Sequence, residues 1–184
     1  MAGKSTDTGL HVLVGKIEKA LYNKEYALSA FLDIEGAFNN ASTDSLLNVL
    51  RSKRVSNTII RWMNSMLSSR IARANSGEMN LEVHLLRGFP QGGVLSALVW
   101  ILVADGLLYS LNSVRYFAQG FADDFSALAI GKDLRTVCEV MQAALNRVRR
   151  WCEDHGLSVN PVKTEMVLFT RKRTLPGLIP IIFF

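Results

Sequence analysis

The chain contains 184 residues, of which 49% are hydrophobic and 20% are charged. This length allows one ordinary domain with a substantial core and excludes two large ones, and the composition excludes an intrinsically disordered chain. The formal net charge of +5 is compatible with a phosphate-rich partner but does not by itself indicate one, because many basic proteins bind no nucleic acid.

Cysteine usage and the absence of a leader pattern predict an intracellular protein without a membrane span. Cys138 and Cys152 fall on one predicted helix, where they cannot easily meet, and no Cys/His cluster accompanies them. The first residues show no charged-then-apolar signal pattern. The longest uncharged run, 88–104, contains Pro90, Gln91 and three glycines, whereas a membrane span needs about 20 apolar residues.

The residues at both ends predict that this chain is part of a longer protein. Residues 4–7 are typical of a helix start, with nothing before them. Residues 175–184 form an apolar run that a complete domain would cover. The alternative is a tail that packs against the core.

In the first half of the chain, apolar spacing predicts three helices and one buried strand. The first helix starts near Thr6, and its apolar residues at helical spacing are Leu10, Val14, Ile17 and Leu21. The strand, 26–34, is apolar at nearly every position, as strands buried on both faces are. A second helix begins at a cap formed by Ser42 or Thr43, and a third covers 56–69.

In the second half, strands and helices alternate. The predicted elements, in order, are a strand at 81–86, a Pro/Gly-rich turn at 88–93, a helix at 95–111, two short strands within 114–130, a helix from an Asp133 cap to a Gly156 cap, and strands at 157–159 and 164–169. The whole order matches β-α-β-β-α-β, the pattern of a ferredoxin-like split βαβ unit. We therefore expect an α+β fold, an antiparallel sheet flanked by helices. This architecture serves many functions and decides none.

Three carboxylates stand out at strand ends. Asp33 lies near the end of the first strand, and Asp123 and Asp124 lie at the tip of the predicted central hairpin. Each alone is compatible with a turn former or a solvated turn. In a split βαβ sheet, however, the first strand and the hairpin are neighbours, so Asp33 can lie beside Asp123.

Clustered carboxylates repel one another, and a cation is needed to keep them all ionised. Mg²⁺ prefers carboxylate oxygens and takes its remaining ligands from water and substrate phosphates. Two such ions, roughly 4 Å apart, would stabilise both the attacking and the leaving oxygen of a phosphoryl transfer. The pattern therefore predicts a two-metal site, with Mn²⁺ as a possible substitute.

Four segments in order resemble the motifs of reverse transcriptases, in the form found in non-LTR retrotransposons of the jockey and I type. Residues 31–40 (FLDIEGAFNN), 87–96 (RGFPQGGVLS) and 121–124 (FADD) are similar to motifs A, B and C. Residues 156–164 (GLSVNPVKT) resemble motif D, and 4–7 (KSTD) resembles the end of the fingers segment. Each motif alone is weakly specific, but four in order and in the expected structural context are specific.

The resemblance implies the palm domain of an RNA-directed DNA polymerase and assigns roles to its carboxylates. Asp33 and Asp123 would hold two Mg²⁺ ions, the Ile34 carbonyl would assist, and Asp124 would be a supporting carboxylate. Lys163 matches the motif D lysine, which would neutralise or protonate the pyrophosphate leaving group. A surface lysine is the alternative for Lys163.

The resemblance also implies a nucleotide pocket. Phe38 matches the bulky residue beneath the incoming sugar, where a ring would clash with a 2′-hydroxyl and favour deoxynucleotides; the alternative is an ordinary core phenylalanine. Gln91 and Gly92 match the turn that lies against the incoming nucleotide and the template, and the alternative is a plain strand-to-helix turn.

Some positions depart from the family pattern, and some family segments are missing. Gly93 and Ala97 replace the usual Ser and Pro of motif B, and Asn39 replaces a common Asp of motif A. The basic fingers residues, the primer grip, the thumb and any endonuclease are absent. We expect a single palm domain over 1–184, in which 1–25 is a fingers remnant, 26–170 the palm and 171–184 a truncated tail.

The expected partners are an RNA template with a DNA primer and deoxynucleoside triphosphates, in the nucleus or cytoplasm as a ribonucleoprotein. The isolated chain is expected to be weakly active or inactive. Two alternatives stay open: a non-catalytic RNA-binding module, which shares a four-stranded sheet of this topology, and an inactive retroelement relic. A membrane is not expected, and the oligomeric state is not readable from the sequence.

Overall fold

The computed structural model of the protein describes residues 6–77, 79–90, 92–112 and 116–175. The elements in chain order are α1 (Thr6–Tyr22), β1 (Tyr26–Glu35), α2 (Ala37–Asn40), α3 (Thr43–Ser52), α4 (Asn57–Ser68), β2 (Ile71–Ser76), β3 (Met79–His84), α5 (Val94–Asn112), β4 (Phe117–Phe121), β5 (Asp124–Gly131), α6 (Leu134–His155), β6 (Ser158–Val159) and β7 (Glu165–Phe169). This is an antiparallel sheet with flanking helices, so the expected fold class is confirmed.

The chain divides into two compact units. The first unit comprises residues 1–34, 104–151 and 159–184, and the second comprises 35–103 and 152–158. The predicted division into fingers remnant, palm and tail follows different boundaries and stays a prediction. Residues 1–5 of the predicted fingers remnant and residues 176–184 of the predicted tail lie outside the described residues.

The first unit is built on a sheet in the order β4-β5-β1-β6, with β7 also paired to β1. Strand β5 and strand β7 both run antiparallel to β1, and β4 runs antiparallel to β5. The two central strands are therefore the first strand and the second strand of the hairpin, as a split βαβ unit requires.

The core of the first unit forms where α1 covers the sheet. Its fully buried members are Leu13, Ile17, Ala20, Ala27 and Leu128. The apolar face predicted for α1 was partly wrong, because Leu10 and Val14 are 58% and 40% exposed. The buried stripe lies about one residue away from the predicted one, since the small side chain of Ala20, which carried little weight in the pattern, allows close packing against the sheet.

Helix α6 has the amphipathic face and both caps that the sequence predicts. Its buried side chains recur every three or four residues: Leu134, Val137, Cys138, Met141, Ala144, Leu145, Val148 and Cys152. At its start, the Asp133 carboxylate accepts hydrogen bonds from the Thr136 N–H and hydroxyl, both at 2.8 Å, and these bonds lower the pKa of Asp133. After its last turn, Gly156 adopts a φ of 68°, the usual geometry of a glycine that ends a helix. The Cys138 and Cys152 thiols are free and buried, as expected.

The second unit contains helices α2 to α4, the hairpin β2–β3 and the first part of α5. Gly88 and Phe89 donate backbone hydrogen bonds to the carbonyls of Ala41 and Phe38, at 2.9 and 2.6 Å. At Gly88 (φ 74°) a side chain would collide with the backbone of Phe38 and Asn39, so glycine is needed at this position. The turn before α5 is therefore fixed directly against α2.

Strand β2 is a feature that the sequence did not predict. All six of its residues are exposed, and so are those of β3, with which it forms a separate two-stranded sheet. The sequence Ile71–Ser76 (IARANS) lacks the buried apolar positions by which strands are recognised. The short helix α2 was missed for a similar reason, because four residues carry no periodic pattern.

Helix α5 is long and apolar enough to cross a membrane by length and composition, with a mean hydropathy of 2.0 over Val94–Asn112. Core helices of soluble proteins pass the same test, and α5 buries Val99, Trp100, Val103 and Leu107 inside the protein. The same window is 39% buried, and the absence of a membrane span stays a prediction.

Candidate active site

The end of β1 places one carboxylate on the less buried face of the strand. Leu32 and Ile34 are 3% and 2% exposed, and Asp33 between them points to the opposite face. Only 22% of the Asp33 side chain is accessible. The strand therefore holds this carboxylate rigidly and partly out of water.

The β4–β5 hairpin brings two more carboxylates to the same end of the sheet. Phe121 pairs with Asp124, so the loop consists of Ala122 and Asp123 alone. Ala122 has a φ of 54°, a backbone angle that residues other than glycine, Asn and Asp rarely adopt. Positive φ at the first loop residue is the mark of a type II′ turn, where glycine is usual. Such a conformation costs about 1–3 kcal/mol and persists only where surrounding structure enforces it.

The register between β1 and β5 sets Asp33 directly opposite Asp124. The N–H of Ile34 donates to the Asp123 carbonyl at 3.3 Å, so Asp33 and Asp124 form a non-hydrogen-bonded pair. The Cα atoms of such pairs lie about 4.5 Å apart, and their side chains share one face. Like charges in this position are destabilising unless a cation lies between them.

Lys163 supplies positive charge at this place. Its Nζ lies 3.4 Å from Asp33 Oδ2, and 65% of the Lys163 side chain remains exposed. The contact shows that the Asp33 carboxylate is accessible to a positively charged group. Within the described ranges, no group of three or more His, Cys, Asp or Glu side chains is close enough to hold a metal ion by itself. Mg²⁺ does not need one, since it commonly takes one or two carboxylates together with water and substrate phosphates.

Two further predicted site residues, Phe38 and Gly92, belong to the second unit. The Phe38 ring packs against Trp100 at a centroid distance of 5.7 Å, and Phe38 is partly buried. Gly92 has a φ of 80°, and no atom lies within 4 Å of the place where its side chain would be. Gln91 lies outside the described residues. The turn is held by the Ser96 hydroxyl, which donates to the Pro90 carbonyl at 2.7 Å.

The family model for "Reverse transcriptase (RNA-dependent DNA polymerase)" matches residues 2–179 of the chain. The chain belongs to the reverse transcriptase family. The resemblance inferred from the four motifs is thereby confirmed, as is the class of enzyme, since this family consists of RNA-directed DNA polymerases, which are nucleotidyltransferases.

Similar proteins include retrotransposon polymerases. The RNA-directed DNA polymerase from mobile element jockey of Drosophila funebris is 29% identical over 182 residues, which are 94% of this chain and 20% of that protein. The probable RNA-directed DNA polymerase from transposon BS of Drosophila melanogaster is 27% identical over 197 residues, again covering 20% of its length. The chain thus spans about a fifth of the length of these relatives.

Solved structures of telomerase share the fold. The Candida tropicalis enzyme, in complex with a fragment of telomeric RNA, superposes on 90% of this chain with a TM-score of 0.66 and 14% identity, and the match covers 30% of the telomerase chain. The Candida albicans enzyme gives a TM-score of 0.64 with 15% identity over 95% of this chain and 32% of its own. These reverse transcriptases have a palm-type fold, which the present chain therefore shares.

The described structure brings Asp33, Asp123, Asp124 and Lys163 together at one end of the sheet of the first unit. Their functional roles stay predictions, as do those of Ile34, Phe38, Gln91 and Gly92. Sequence reasoning gave no role to Asn160, although its backbone N–H bonds the Asp33 carbonyl at 2.9 Å. The Asn-Pro dipeptide at 160–161 was a usable signal, because it commonly initiates a turn.

Proposed function

We propose that this chain is the palm of an RNA-directed DNA polymerase that adds deoxynucleotides to the 3′ end of a primer along an RNA template. Asp33 and Asp123 would hold two Mg²⁺ ions together with the Ile34 carbonyl, and Asp124 would support them. Mn²⁺ would substitute for Mg²⁺. The observation that carries the proposal is the pairing of Asp33 with Asp124, the chain neighbour of Asp123, at one end of the sheet.

The reaction forms a bond between the primer 3′ oxygen and the α-phosphorus of the incoming nucleotide, and it breaks the bond from that phosphorus to the oxygen that leaves with pyrophosphate. The proton of the 3′-hydroxyl is lost to solvent. The two cations, when bound, neutralise charge on the attacking and leaving oxygens. The protein fixes the position of the carboxylates by strand pairing. Lys163 offers a positive charge or a proton to the departing pyrophosphate.

The test is nucleotide incorporation by a longer protein that includes this chain and its flanking sequence. Asp123→Asn keeps the size of the side chain and removes the charge, so we expect primer extension on an RNA template with Mg²⁺ to fall at least about a hundredfold, as loss of a single dominant electrostatic group does. Asp44→Asn, an exposed carboxylate in the first turn of α3, is the matched control and should leave the rate unchanged. Equal rates for Asp123→Asn and the control would refute the proposal.

Phe38, Gln91 and Gly92 form the proposed contacts to the incoming nucleotide. Replacing Phe38 by Ala would remove the ring that excludes a 2′-hydroxyl. We expect the ratio of kcat/KM for deoxynucleotides to that for ribonucleotides to fall by at least about tenfold, since one well-placed steric contact contributes 1–3 kcal/mol to such discrimination. An unchanged ratio would assign Phe38 to the core alone.

For the isolated chain we propose weak activity or none, because relatives of known polymerase type are about five times longer. Robust processive synthesis by the 184-residue chain would contradict this. The non-catalytic alternative makes a different prediction, namely salt-dependent RNA binding that persists fully in EDTA without any nucleotide incorporation by the longer protein. An intracellular ribonucleoprotein remains the proposed location and form.

A further inference from the structure

The loop between β6 and β7 is folded around the side chain of one residue, Asn160. The Asn160 amide oxygen accepts hydrogen bonds from the N–H groups of Val162 and Lys163, at 3.0 and 3.3 Å. Its backbone carbonyl accepts two more bonds, from the N–H and the hydroxyl of Thr164, at 3.1 and 2.8 Å. Asn commonly closes tight turns in this way, by replacing a backbone acceptor with its own side chain.

The same residue connects this loop to the candidate active site. The Asn160 N–H donates to the Asp33 carbonyl at 2.9 Å, while the Lys163 ammonium lies 3.4 Å from the Asp33 carboxylate. Asp33 is therefore contacted twice by one short loop, once through its backbone and once through its side chain. Asn160 takes part in the first contact and fixes the backbone of the residue that makes the second.

An exposed lysine does not usually stay in one place. Its side chain loses rotamer entropy when it is held, and for this reason exposed ion pairs contribute little. The backbone of Lys163 is held at its amide by Asn160, so fewer torsions remain to be ordered when its ammonium meets Asp33. The hydrogen bonds of Asn160 thus account for a contact that a flexible loop would not maintain.

We propose that Asn160 is a positioning residue that holds the Lys163 ammonium against the Asp33 carboxylate, and that Lys163 leaves Asp33 when a divalent cation binds there. In the cation-free protein, Lys163 offsets the repulsion between Asp33 and its cross-strand neighbour Asp124. In the cation-bound protein, the released ammonium is already beside the reaction and available to the pyrophosphate. The second half of this proposal rests on the proposed function, whereas the first half does not.

The positioning role can be tested without metal and without activity. A carbodiimide activates a carboxylate, and an amine that reaches the activated group forms the amide while the carbodiimide leaves as a urea. Because no spacer is introduced, the yield reports how often the two groups are in contact. We expect the purified chain, freed of metal with EDTA that is removed before the reaction because its own carboxylates consume the carbodiimide, to give an Asp33–Lys163 cross-link, identified by mass spectrometry of its peptides. In Asn160→Ala the yield should fall about two- to fivefold, the range that corresponds to losing an exposed ion pair.

Three further variants make the result specific. Thr164→Val removes a hydroxyl bond from the same loop but leaves the Asn160 side chain in place, so its yield should equal that of the native chain. Asn160→Ser retains a side-chain acceptor and should recover part of the yield, which also covers the case that Asn160→Ala does not fold. Lys163→Arg cannot form the amide and gives the background. Equal yields in the native chain and Asn160→Ala, or an equal loss in Thr164→Val, would overturn the positioning role.

The displacement of Lys163 is tested by repeating the reaction in the presence of Mn²⁺. We expect Mn²⁺ to suppress the Asp33–Lys163 cross-link in the native chain. A cross-link that persists at saturating Mn²⁺ would refute displacement. If Mn²⁺ does not bind at all, the proposed cation site fails, whereas the positioning role still stands or falls on the metal-free experiment.

Discussion

Two hairpins in the described part of the chain have a positive φ at the first residue of the loop, but different residues provide it. In β2–β3 the loop begins with Gly77 at a φ of 60°, and in β4–β5 it begins with Ala122 at 54°. Glycine adopts this conformation without steric cost, whereas alanine is strained in it. The hairpin that carries the candidate active site is therefore the one with the less suitable turn residue.

Burial explains why each hairpin tolerates its own turn. Every residue of β2 and β3 is exposed, and an isolated two-stranded hairpin is marginally stable at best, so its turn has to favour the structure locally. Five consecutive residues of β5, from Phe125 to Ala129, are buried, and β5 is paired on both sides. Packing of the sheet holds the Ala122 turn in place. A strained backbone conformation persists where the surrounding structure enforces it, and here the strained turn lies beside the clustered carboxylates.

The largest expected difference between the hairpins comes from removing one apolar side chain from each. Phe125 is 4% exposed and lies 6.3 Å from the Trp151 ring, so Phe125→Ala should leave a cavity and lower the free energy of unfolding by about 3–5 kcal/mol. Leu81→Ala, at a site 59% exposed in β3, should change it by less than about 0.5 kcal/mol. Urea denaturation of both variants measures this, and similar losses would contradict the assignment of the two hairpins to different sources of stability.

Replacing the first loop residue of each hairpin, Gly77 by Ala and Ala122 by Gly, should change stability by an intermediate amount and in opposite directions. Gly77→Ala introduces strain and should destabilise β2–β3 by about 1 kcal/mol, seen as faster amide hydrogen exchange in its strands. Ala122→Gly relieves strain and should be neutral or stabilising by up to about 1 kcal/mol in urea denaturation. A clear destabilisation by Ala122→Gly would show that the positive φ at this turn is not strained.

The smallest expected effects come from two pairs of charged residues that face each other on neighbouring strands, one between β2 and β3 and the other between β1 and β5. Arg73 and Glu82 are opposite charges in register, 2.6 Å apart, whereas Asp33 and Asp124 are like charges in register. At low ionic strength, Glu82→Gln should destabilise its hairpin by about 0.2–1 kcal/mol, and Asp124→Asn should stabilise the cation-free protein by a similar amount. The same sign for both variants would contradict the register of one of the two pairs.

Much of this arrangement follows from the sequence, for reasons that differ from element to element. The uninterrupted apolar run of β1 and the capped, periodic pattern of α6 are strong local signals, so both were predicted. Strand β2 has no buried face and could not be recognised by periodicity. For α1, the exposed Leu10 and Val14 misled the pattern, because an apolar residue on the surface is common and uninformative.

The site was predictable in part. Strand order alone is enough to bring Asp33 to the hairpin tip, because the first and third strands of a split βαβ sheet are neighbours. The contact of Lys163 with Asp33 was not predictable, since it depends on the path of a loop whose shape is set by the side chain of Asn160. Motif resemblance gave Lys163 a role, but it did not indicate which carboxylate the lysine would meet.

Binding of divalent cations by Asp33 and Asp123 can be measured by titrating the chain with Mn²⁺ and following the ion by electron paramagnetic resonance. We predict that the native chain and Asp44→Asn bind Mn²⁺ with equal affinity, and that Asp33→Asn and Asp123→Asn each weaken binding by roughly tenfold or more, because each loses a charged ligand. Identical Mn²⁺ affinities for all four proteins would show that neither Asp33 nor Asp123 is a ligand of the cation.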